Sequence, residues 1–286
     1  MWDSYLEALR EIKNSGVQLR RNVYAVYAPD EEIGGKDGVG SLIETKEFEE
    51  LNAGFDIDES GPSPLPIAIL MTSERLTTQV RFTAHGNTGH GSQFIEGTAI
   101  EKLLPVINTV MALREQEYKK YNALGENRLA LQGQVTSVNL TMLEGGKQQN
   151  VVPATFSVTF DIRVTPKQDI VEFKKMLSDL AEKHGVECHF INPENRNPVT
   201  EWDSESNFFK CIDNVCAKHN VTYKNIICPG ATDARYIRRK GIPAVGFCPL
   251  LGHPLLAHDH DEYVREPEYL KAIRVYVDLI SELANA

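Results

Sequence analysis

The sequence lacks the features of disulfide-stapled and membrane-spanning proteins. Its five cysteines are an odd number among 286 residues, and no Cys-x-x-Cys spacing occurs. This usage predicts free thiols in a reducing compartment. No apolar run approaches the roughly 18 residues that a membrane-spanning helix needs. We therefore expect a cytoplasmic protein that does not bind membranes.

Clustered basic charge is also scarce. The formal net charge is −10, and the short basic runs Arg20–Arg21 and Arg238–Lys240 are too small to form a phosphate-binding surface. We therefore expect no nucleic-acid partner. What the sequence does have, 42% hydrophobic and 24% charged residues over 286 positions, is typical of a globular protein with room for two domains.

The first and last parts of the chain alternate between helical and strand patterns. The apolar run Val23–Ala28 predicts a buried strand, and the residues from Gly38 to Leu51 predict a helix. Such alternation favours an α/β fold with a mostly parallel sheet. We predict that 1–73 and 192–286 form this α/β catalytic domain.

The middle of the chain has a different order. From 74 to 191 the patterns read strand, helix, strand, strand, helix, strand. This β-α-β-β-α-β order predicts a ferredoxin-like domain with its own sheet, inserted into the α/β domain.

Acidic and imidazole side chains cluster where strands are predicted to end. Glu31 and Glu32 lie in "PDEEIGG", Glu59 in "DIDESG", His258 in "AHDHDE", and His90 in "TGHGS". Each cluster alone is more often a solvated loop, but ligands of α/β sheets bind at the carboxyl ends of strands. These donors suit zinc, manganese or cobalt, and a glutamate beside a ligand glutamate is a candidate general base.

Several ordered motifs resemble one enzyme family. "PDEEIGG", "GHGS", "LEGG", "NVVPA", "FDIRV", "GATDARYIR", "GIPAVGF" and "HDHDE" are similar to those of the aminoacylase (N-acyl-L-amino-acid amidohydrolase) family of di-zinc metallopeptidases. That superfamily includes acetylornithine deacetylase and succinyl-diaminopimelate desuccinylase. The resemblance covers nearly the whole chain and implies hydrolysis of N-acyl-L-amino acids to an amino acid and a carboxylate.

The resemblance also implies roles for single residues. Glu31 matches the general base, and His90 matches a lid histidine that helps to hold the oxyanion in the partner subunit's site. Glu32 and His258 match the ligands of one zinc ion, and Glu59 matches a ligand of the other. The implied substrate-binding residues are Asn150, Arg163, Gly230 and Thr232. The family works as a homodimer through its lid domain, which corresponds to the inserted ferredoxin-like segment.

One part of the family pattern is missing from this sequence. The family has a His-x-Asp strand end and a metal-bridging aspartate ahead of the "PDEE" motif, and neither precedes Glu31 here. We therefore expect a catalytic domain without its N-terminal portion, with incomplete zinc occupancy.

Three hypotheses stay open at this point. The chain is an aminoacylase-type amidohydrolase, or an inactive lid and dimerisation module (a truncated isoform pairing with a full-length subunit), or an aminopeptidase or dipeptidase of the same superfamily. Within the superfamily, a glutamate at position 59 favours deacylases and carboxypeptidases over aminopeptidases.

Overall fold

A computed structural model describes residues 2–286 of the chain. It divides the chain into two compact units, each made of separate segments. Unit 1 comprises Met1–Ser73, Pro198–Ile226 and Thr232–Ala286, and unit 2 comprises Glu74–Asn197 and Ile227–Ala231.

Unit 1 is built on a four-stranded mixed sheet. Its strands are β1 (Asp56–Asp58), β2 (Ala68–Glu74), β9 (Tyr223–Cys228) and β10 (Ala244–Cys248), in the spatial order β1-β10-β2-β9. β1 runs parallel to β10, whereas β10 pairs antiparallel with β2. The predicted α/β class is confirmed, with both parallel and antiparallel pairing. The residues that follow β1 and β10 leave from the same edge of the sheet.

Helices surround this sheet. They are α1 (Trp2–Ser15), α2 (Val39–Leu42), α3 (Lys46–Leu51), α7 (Asn207–Lys218), α8 (Ala234–Arg239) and α9 (Glu266–Leu283). A core cluster joins α1, α7 and α9 to the sheet, with Tyr276 and Phe247 almost fully buried at its centre. The single helix predicted after Asp37 is instead two short helices, because the Thr45 side chain caps α3 by accepting a hydrogen bond from Phe48 N.

The predicted buried strand at Val23–Ala28 is wrong. This segment has no strand assignment, and Val23, Tyr24, Val26 and Tyr27 are 40–53% exposed. β-branched and aromatic residues give a segment strand propensity, but a strand forms only when a neighbour supplies the ladder of hydrogen bonds. The described residues supply no such neighbour here.

Unit 2 contains a second four-stranded sheet. Its strands are β3 (Leu76–His85), β5 (Ser137–Gly145), β7 (Thr155–Val164) and β8 (Glu187–Phe190), and its longer helices are α4 (Ala99–Ala123) and α6 (Ile170–Lys183). The short strands β4 (Gly89–His90) and β6 (Val151–Val152) form a separate pair, and α5 (Arg128–Leu131) follows α4.

The sheet of unit 2 confirms the ferredoxin-like prediction. Its spatial order is β5-β7-β3-β8, and each neighbouring pair is antiparallel. In chain order this is β-α-β-β-α-β, with the first and third strands at the centre. Both central strands contribute fully buried phenylalanines, Phe82 and Phe160, whose rings meet edge to face at 6.2 Å.

The helices of unit 2 begin at side-chain caps that the sequence encodes. Thr98 and Glu101 form a reciprocal capping box at α4, and the Asp169 carboxylate accepts hydrogen bonds from Val171 N and Glu172 N at α6.

Within residues 2–286, no helix combines the length and the apolar composition needed to cross a membrane.

An ion-pair cluster joins α7 to α9 in unit 1. The Asp278 carboxylate lies 2.7 Å from Lys218 Nζ and 2.6 Å from His219 Nε2. Partial burial opposes ionisation of Asp278, but the hydrogen bonds from Lys218 and His219 outweigh it and lower the pKa of this carboxyl. A carboxyl whose pKa is lower in the folded state stabilises the fold above its unfolded-state pKa, and this contribution is lost as the pH falls through the folded-state pKa.

We expect Asp278→Asn to lower the free energy of unfolding of unit 1 by about 1 kcal/mol at pH 7. The difference from the parent should shrink as the pH falls below about 4, the ordinary aspartate pKa, and close once the pH passes the lowered pKa of Asp278. Urea titrations followed by tryptophan fluorescence measure this, since Trp202 packs on Phe209 of α7 at 4.3 Å. Glu205→Gln is the control, because it removes an exposed ion pair with Lys210 and should change stability little. A pH-independent effect of Asp278→Asn would contradict this account.

Candidate metal and catalytic site

Glu31 and Glu32 lie on a tight turn in unit 1. A short 3-10 turn, Glu31–Ile33, is followed by Gly34 and Gly35, whose φ angles are +110° and +60°. These angles suit glycine. Hydrogen bonds close the turn, from Gly34 N to Glu31 O (2.9 Å) and from Gly35 N to Asp30 O (2.7 Å). Glu31 is half-buried and Glu32 is exposed, so the two carboxylates have different surroundings.

Glu59 directly follows β1 at the edge of the sheet. Its backbone N–H donates to the Asp58 carboxylate (2.8 Å), which also accepts a hydrogen bond from Ala234 N (2.8 Å) at the start of α8. A Cβ added at Gly246 would lie 2.5 Å from Glu59 O, so β10 passes close to this residue because it carries glycine there. These contacts place Glu59 next to the beginning of α8.

His258 lies in the loop that joins β10 to α9. Its φ is +64°, and its Nε2 is 3.3 Å from Glu32 Oε2. The two side chains are 72% and 71% exposed. The fold thus brings together a carboxylate and an imidazole that are far apart in the sequence, and both keep their donor atoms accessible.

Carboxylates crowd around Glu31. Burial, followed by the charges of Glu59, Asp233, Glu32 and Asp58, raises the pKa of Glu31 to about 7. Burial also raises the pKa of Asp233 to about 6, against the opposing charge of Arg235. Like charges held this close favour a bound cation or proton.

Asp233 is a site residue that the sequence analysis did not select. It is 7% exposed, and neither of its carboxylate oxygens has a hydrogen-bond partner among residues 2–286. A Cβ added at Gly35 would lie 1.9 Å from Asp233 Oδ1, so the carboxylate occupies the space that glycine leaves open. The available signal was the "PGATDAR" motif, in which only Gly230 and Thr232 were assigned roles.

In unit 2, the structure brings His90 and Asn150 together. The strand pair β4 and β6 aligns His90 with Val151, and Asn150 Nδ2 lies 3.4 Å from His90 Nε2. His90 Nδ1 lies 2.8 Å from Ser92 Oγ. Both His90 and Asn150 are exposed, and a neutral imidazole with one nitrogen held by Ser92 can use the other to contact a ligand.

The other predicted substrate residues are distributed over both units. Arg163 lies on β7, where it donates to Asp161 Oδ1 (2.7 Å) and Thr77 Oγ1 (2.8 Å). Gly230 belongs to unit 2 and is half-buried, whereas Thr232 belongs to unit 1 and precedes α8.

Comparison with known proteins identifies the family. The pattern of Peptidase family M20/M25/M40 matches residues 4–282. This chain belongs to that family. Aminoacylase-1 of Sus scrofa is 42% identical over 283 residues, which cover 98% of this chain and 69% of that protein. Aminoacylase-1 of Dictyostelium discoideum is 36% identical over 291 residues, which cover 98% of this chain and 71% of that protein.

A solved structure supports the fold of this M20 chain. An M20 family metallo-carboxypeptidase from Sulfolobus solfataricus matches with a TM-score of 0.69 over 98% of this chain and 74% of that one. The two sequences are 19% identical, so the match shows a shared architecture.

The candidate site of this M20 chain offers the types of donor atom that zinc binds, and two of these donors lie next to each other. Zinc takes carboxylate oxygen and imidazole nitrogen, which Glu32 and His258 offer side by side, with Glu59 as a further carboxylate. Among residues 2–286, no three His, Cys, Asp or Glu side chains lie close enough together to hold a metal ion. The observed geometry therefore provides two adjacent donors.

We expect Gly35→Ala to destabilise unit 1 strongly. Alanine is strained at a φ of +60°, and its Cβ would overlap Asp233 Oδ1. The matched control is Gly16→Ala, which meets the same backbone strain at a φ of +73° but has no atom within 4 Å. Urea unfolding should show a loss of about 1 kcal/mol for Gly16→Ala and at least twice that for Gly35→Ala. Equal losses would show that Asp233 moves aside freely.

Proposed function

We propose that this M20 protein hydrolyses N-acyl-L-amino acids, using one zinc ion held by Glu32 and His258 and a second zinc ion held by Glu59. The observation that supports this most is the approach of His258 to within 3.3 Å of Glu32, beside the half-buried Glu31. It supports a metal-assisted amide hydrolysis in which a base acts beside a pair of metal ligands. The similarity to aminoacylase-1 supports the choice of substrate.

Glu31 is the proposed proton carrier. Its carboxylate takes a proton from the attacking water as the new C–O bond forms at the acyl carbon. It then gives this proton to the nitrogen of the leaving amino acid as the C–N bond breaks. The products are a carboxylate and a free amino acid, so one water is consumed in each turnover.

Zinc held by Glu32 and His258, with a second ion at Glu59, would supply Lewis acidity to the scissile carbonyl and to the attacking water. His90 is proposed to help hold the developing oxyanion in the partner subunit's site, with Asn150 near the substrate carbonyl; the exposed, adjacent positions of these two side chains support this. Arg163 is proposed to bind the free carboxylate of the substrate, and Gly230 and Thr232 are proposed as further substrate-binding residues.

The two predicted domains of the chain are proposed to have different roles. Residues 1–73 and 192–286 act as the catalytic domain, and residues 74–191 act as a lid and dimerisation domain. The lid proposal is supported by β5, which lies at the edge of the sheet in unit 2 and exposes Leu140, Met142 and Leu143. An exposed apolar edge strand can pair with the same strand of a second copy about a two-fold axis.

We expect Leu143→Lys to shift the protein from dimer to monomer. Leu143 is 59% exposed on β5, and a lysine there places like charges opposite each other in the paired strands. Sedimentation velocity measures the change. Leu129→Lys is the control, because Leu129 is 70% exposed but lies on α5, away from the sheet edge. A Leu143→Lys protein that remains fully dimeric would rule out this edge as the interface.

The alternative proposal is a module that pairs through its lid without catalysing hydrolysis. The exposed edge strand β5 favours it independently of the acidic site. Under this alternative, the Leu143→Lys result is unchanged while turnover is absent.

Substrate comparison separates the proposed reaction from its relatives. The zinc-loaded protein is incubated with N-acetyl-L-amino acids, with the corresponding N-acetyl amino acid amides, and with free dipeptides. We expect amine release from the N-acetyl amino acids alone, because the amides lack the carboxylate proposed to bind Arg163. Cleavage of dipeptides in preference would support a peptidase and contradict the proposal.

A further inference from the structure

Two side chains of α8 fix the turn that carries Glu31 and Glu32. Arg235 Nη2 donates a hydrogen bond to Gly34 O (2.7 Å), and Tyr236 Oη–H donates to the same oxygen (2.6 Å). A carbonyl oxygen has two lone pairs. Neighbouring residues of one helix therefore supply two donors to one carbonyl of the turn.

The Gly34 carbonyl lies in a part of the backbone that can rotate easily. It belongs to the peptide that joins Gly34 to Gly35, both at positive φ. Glycine has no Cβ to restrict its rotation, so two consecutive glycines give a mobile hinge unless other groups hold the peptide. Rotation there would move Glu31 and Glu32, which directly precede it, relative to His258.

Tyr236 is itself held firmly. Its ring packs against the cluster formed by Val39, Ile43 and Phe48. A Cβ added at Gly40 would lie 3.0 Å from its Cε1, so the ring sits directly on the backbone of α2. The guanidinium carbons of Arg235 and Arg239 lie 4.7 Å and 4.9 Å from the ring centre. The phenol thus reaches Gly34 from a fixed position.

Arg235 also donates a hydrogen bond to a second backbone carbonyl. Its Nη1 donates to Thr232 O (2.6 Å), and its side chain is 12% exposed. A planar guanidinium spans two acceptors at fixed geometry, whereas a lysine ammonium does not reproduce that fork. One side chain therefore connects the carbonyl of Thr232 to the carbonyl of Gly34.

We propose that Arg235 and Tyr236 are positioning residues, which hold the Glu31–Gly35 turn and the Thr232 segment in a single arrangement. The catalytic consequence rests on the roles proposed above for Glu31 and Thr232. The contacts themselves do not depend on those roles. Binding of substrate at Thr232 is thereby coupled to the placement of the base.

Paired variants test the proposal. Tyr236→Phe keeps the ring and removes one donor, and Arg235→Lys keeps the charge and removes the fork. We expect Tyr236→Phe to lower kcat about tenfold with KM within about twofold. Arg235→Lys should lower kcat by at least about tenfold and also raise KM, because the Thr232 carbonyl loses its donor too. Both variants should keep the parental Tm within about 3 °C.

The controls remove the same kinds of bond elsewhere in unit 1. Tyr223→Phe loses a hydroxyl contact with Asp213, and Arg21→Lys loses a guanidinium that donates to Ala286 O. Neither residue touches the turn, so kcat and KM should stay at the parental values in both.

Hydrogen exchange provides a readout that does not need turnover. Amides from Gly34 to Gly40 should exchange at least about fivefold faster in both α8 variants, with α7 and α9 unchanged. If the parent protein hydrolyses no N-acyl amino acid, the proposed function fails while exchange still decides the positioning role. Parental exchange in this segment, or faster exchange throughout unit 1, overturns the proposal, as do parental kcat and KM in both variants of an active protein.

Discussion

Glu31→Gln is expected to lower kcat for N-acetyl-L-amino acid hydrolysis by about three orders of magnitude while zinc stays bound. Glutamine is nearly the same size as glutamate but cannot accept the proton of the attacking water. Glu31 is half-buried among other carboxylates, whereas the proposed ligand Glu32 is exposed beside His258. Losing the base should therefore leave the ligands intact.

The measurement pairs steady-state amine release with the zinc content of the same sample. Glu50→Gln is the control, since Glu50 is an exposed glutamate on α3 in unit 1 and should leave kcat unchanged. Full activity of the Glu31→Gln protein would show that another group accepts the proton. Loss of zinc together with activity would reassign Glu31 as a ligand.

His258→Ala should weaken zinc binding by roughly 100-fold or more, because it removes one of the two donors that lie side by side. Competition with a chelating dye measures the affinity. The natural control is His260→Ala, because His260 is an exposed imidazole in the same loop. We expect His260→Ala to retain parental affinity. The reverse outcome would show that the other histidine of the "HDHDE" motif is the ligand.

The elements of unit 2 were predictable because their signals are local. Alternating strands and capped amphipathic helices follow each other in the sequence, and their order already specifies a ferredoxin-like sheet. Strand formation in unit 1 depends on distant partners instead. Val23–Ala28 has strand propensity without a neighbour, and β2, whose run follows the proline-rich "GPSPLP", pairs with β10 far along the chain.

The candidate site likewise contains some residues with a local sequence signal and others without one. Glu31, Glu32, Glu59 and His258 stand in motifs whose residue types indicate chemistry, so the sequence suggested them, and their roles remain predictions. Other residues have no such signature. Tyr236 acts on a backbone carbonyl, and Asp233 lies in the space left by a glycine. Only the folded arrangement reveals contacts of this kind.

The central claim is that the acidic edge of unit 1 is a zinc-dependent hydrolytic site. Its most direct test is to titrate metal-free protein with zinc while following amine release from N-acetyl-L-amino acids. The account predicts turnover that rises in proportion to bound zinc and disappears on chelation. Zinc-loaded protein without turnover, or turnover that persists in the chelated protein, would contradict it.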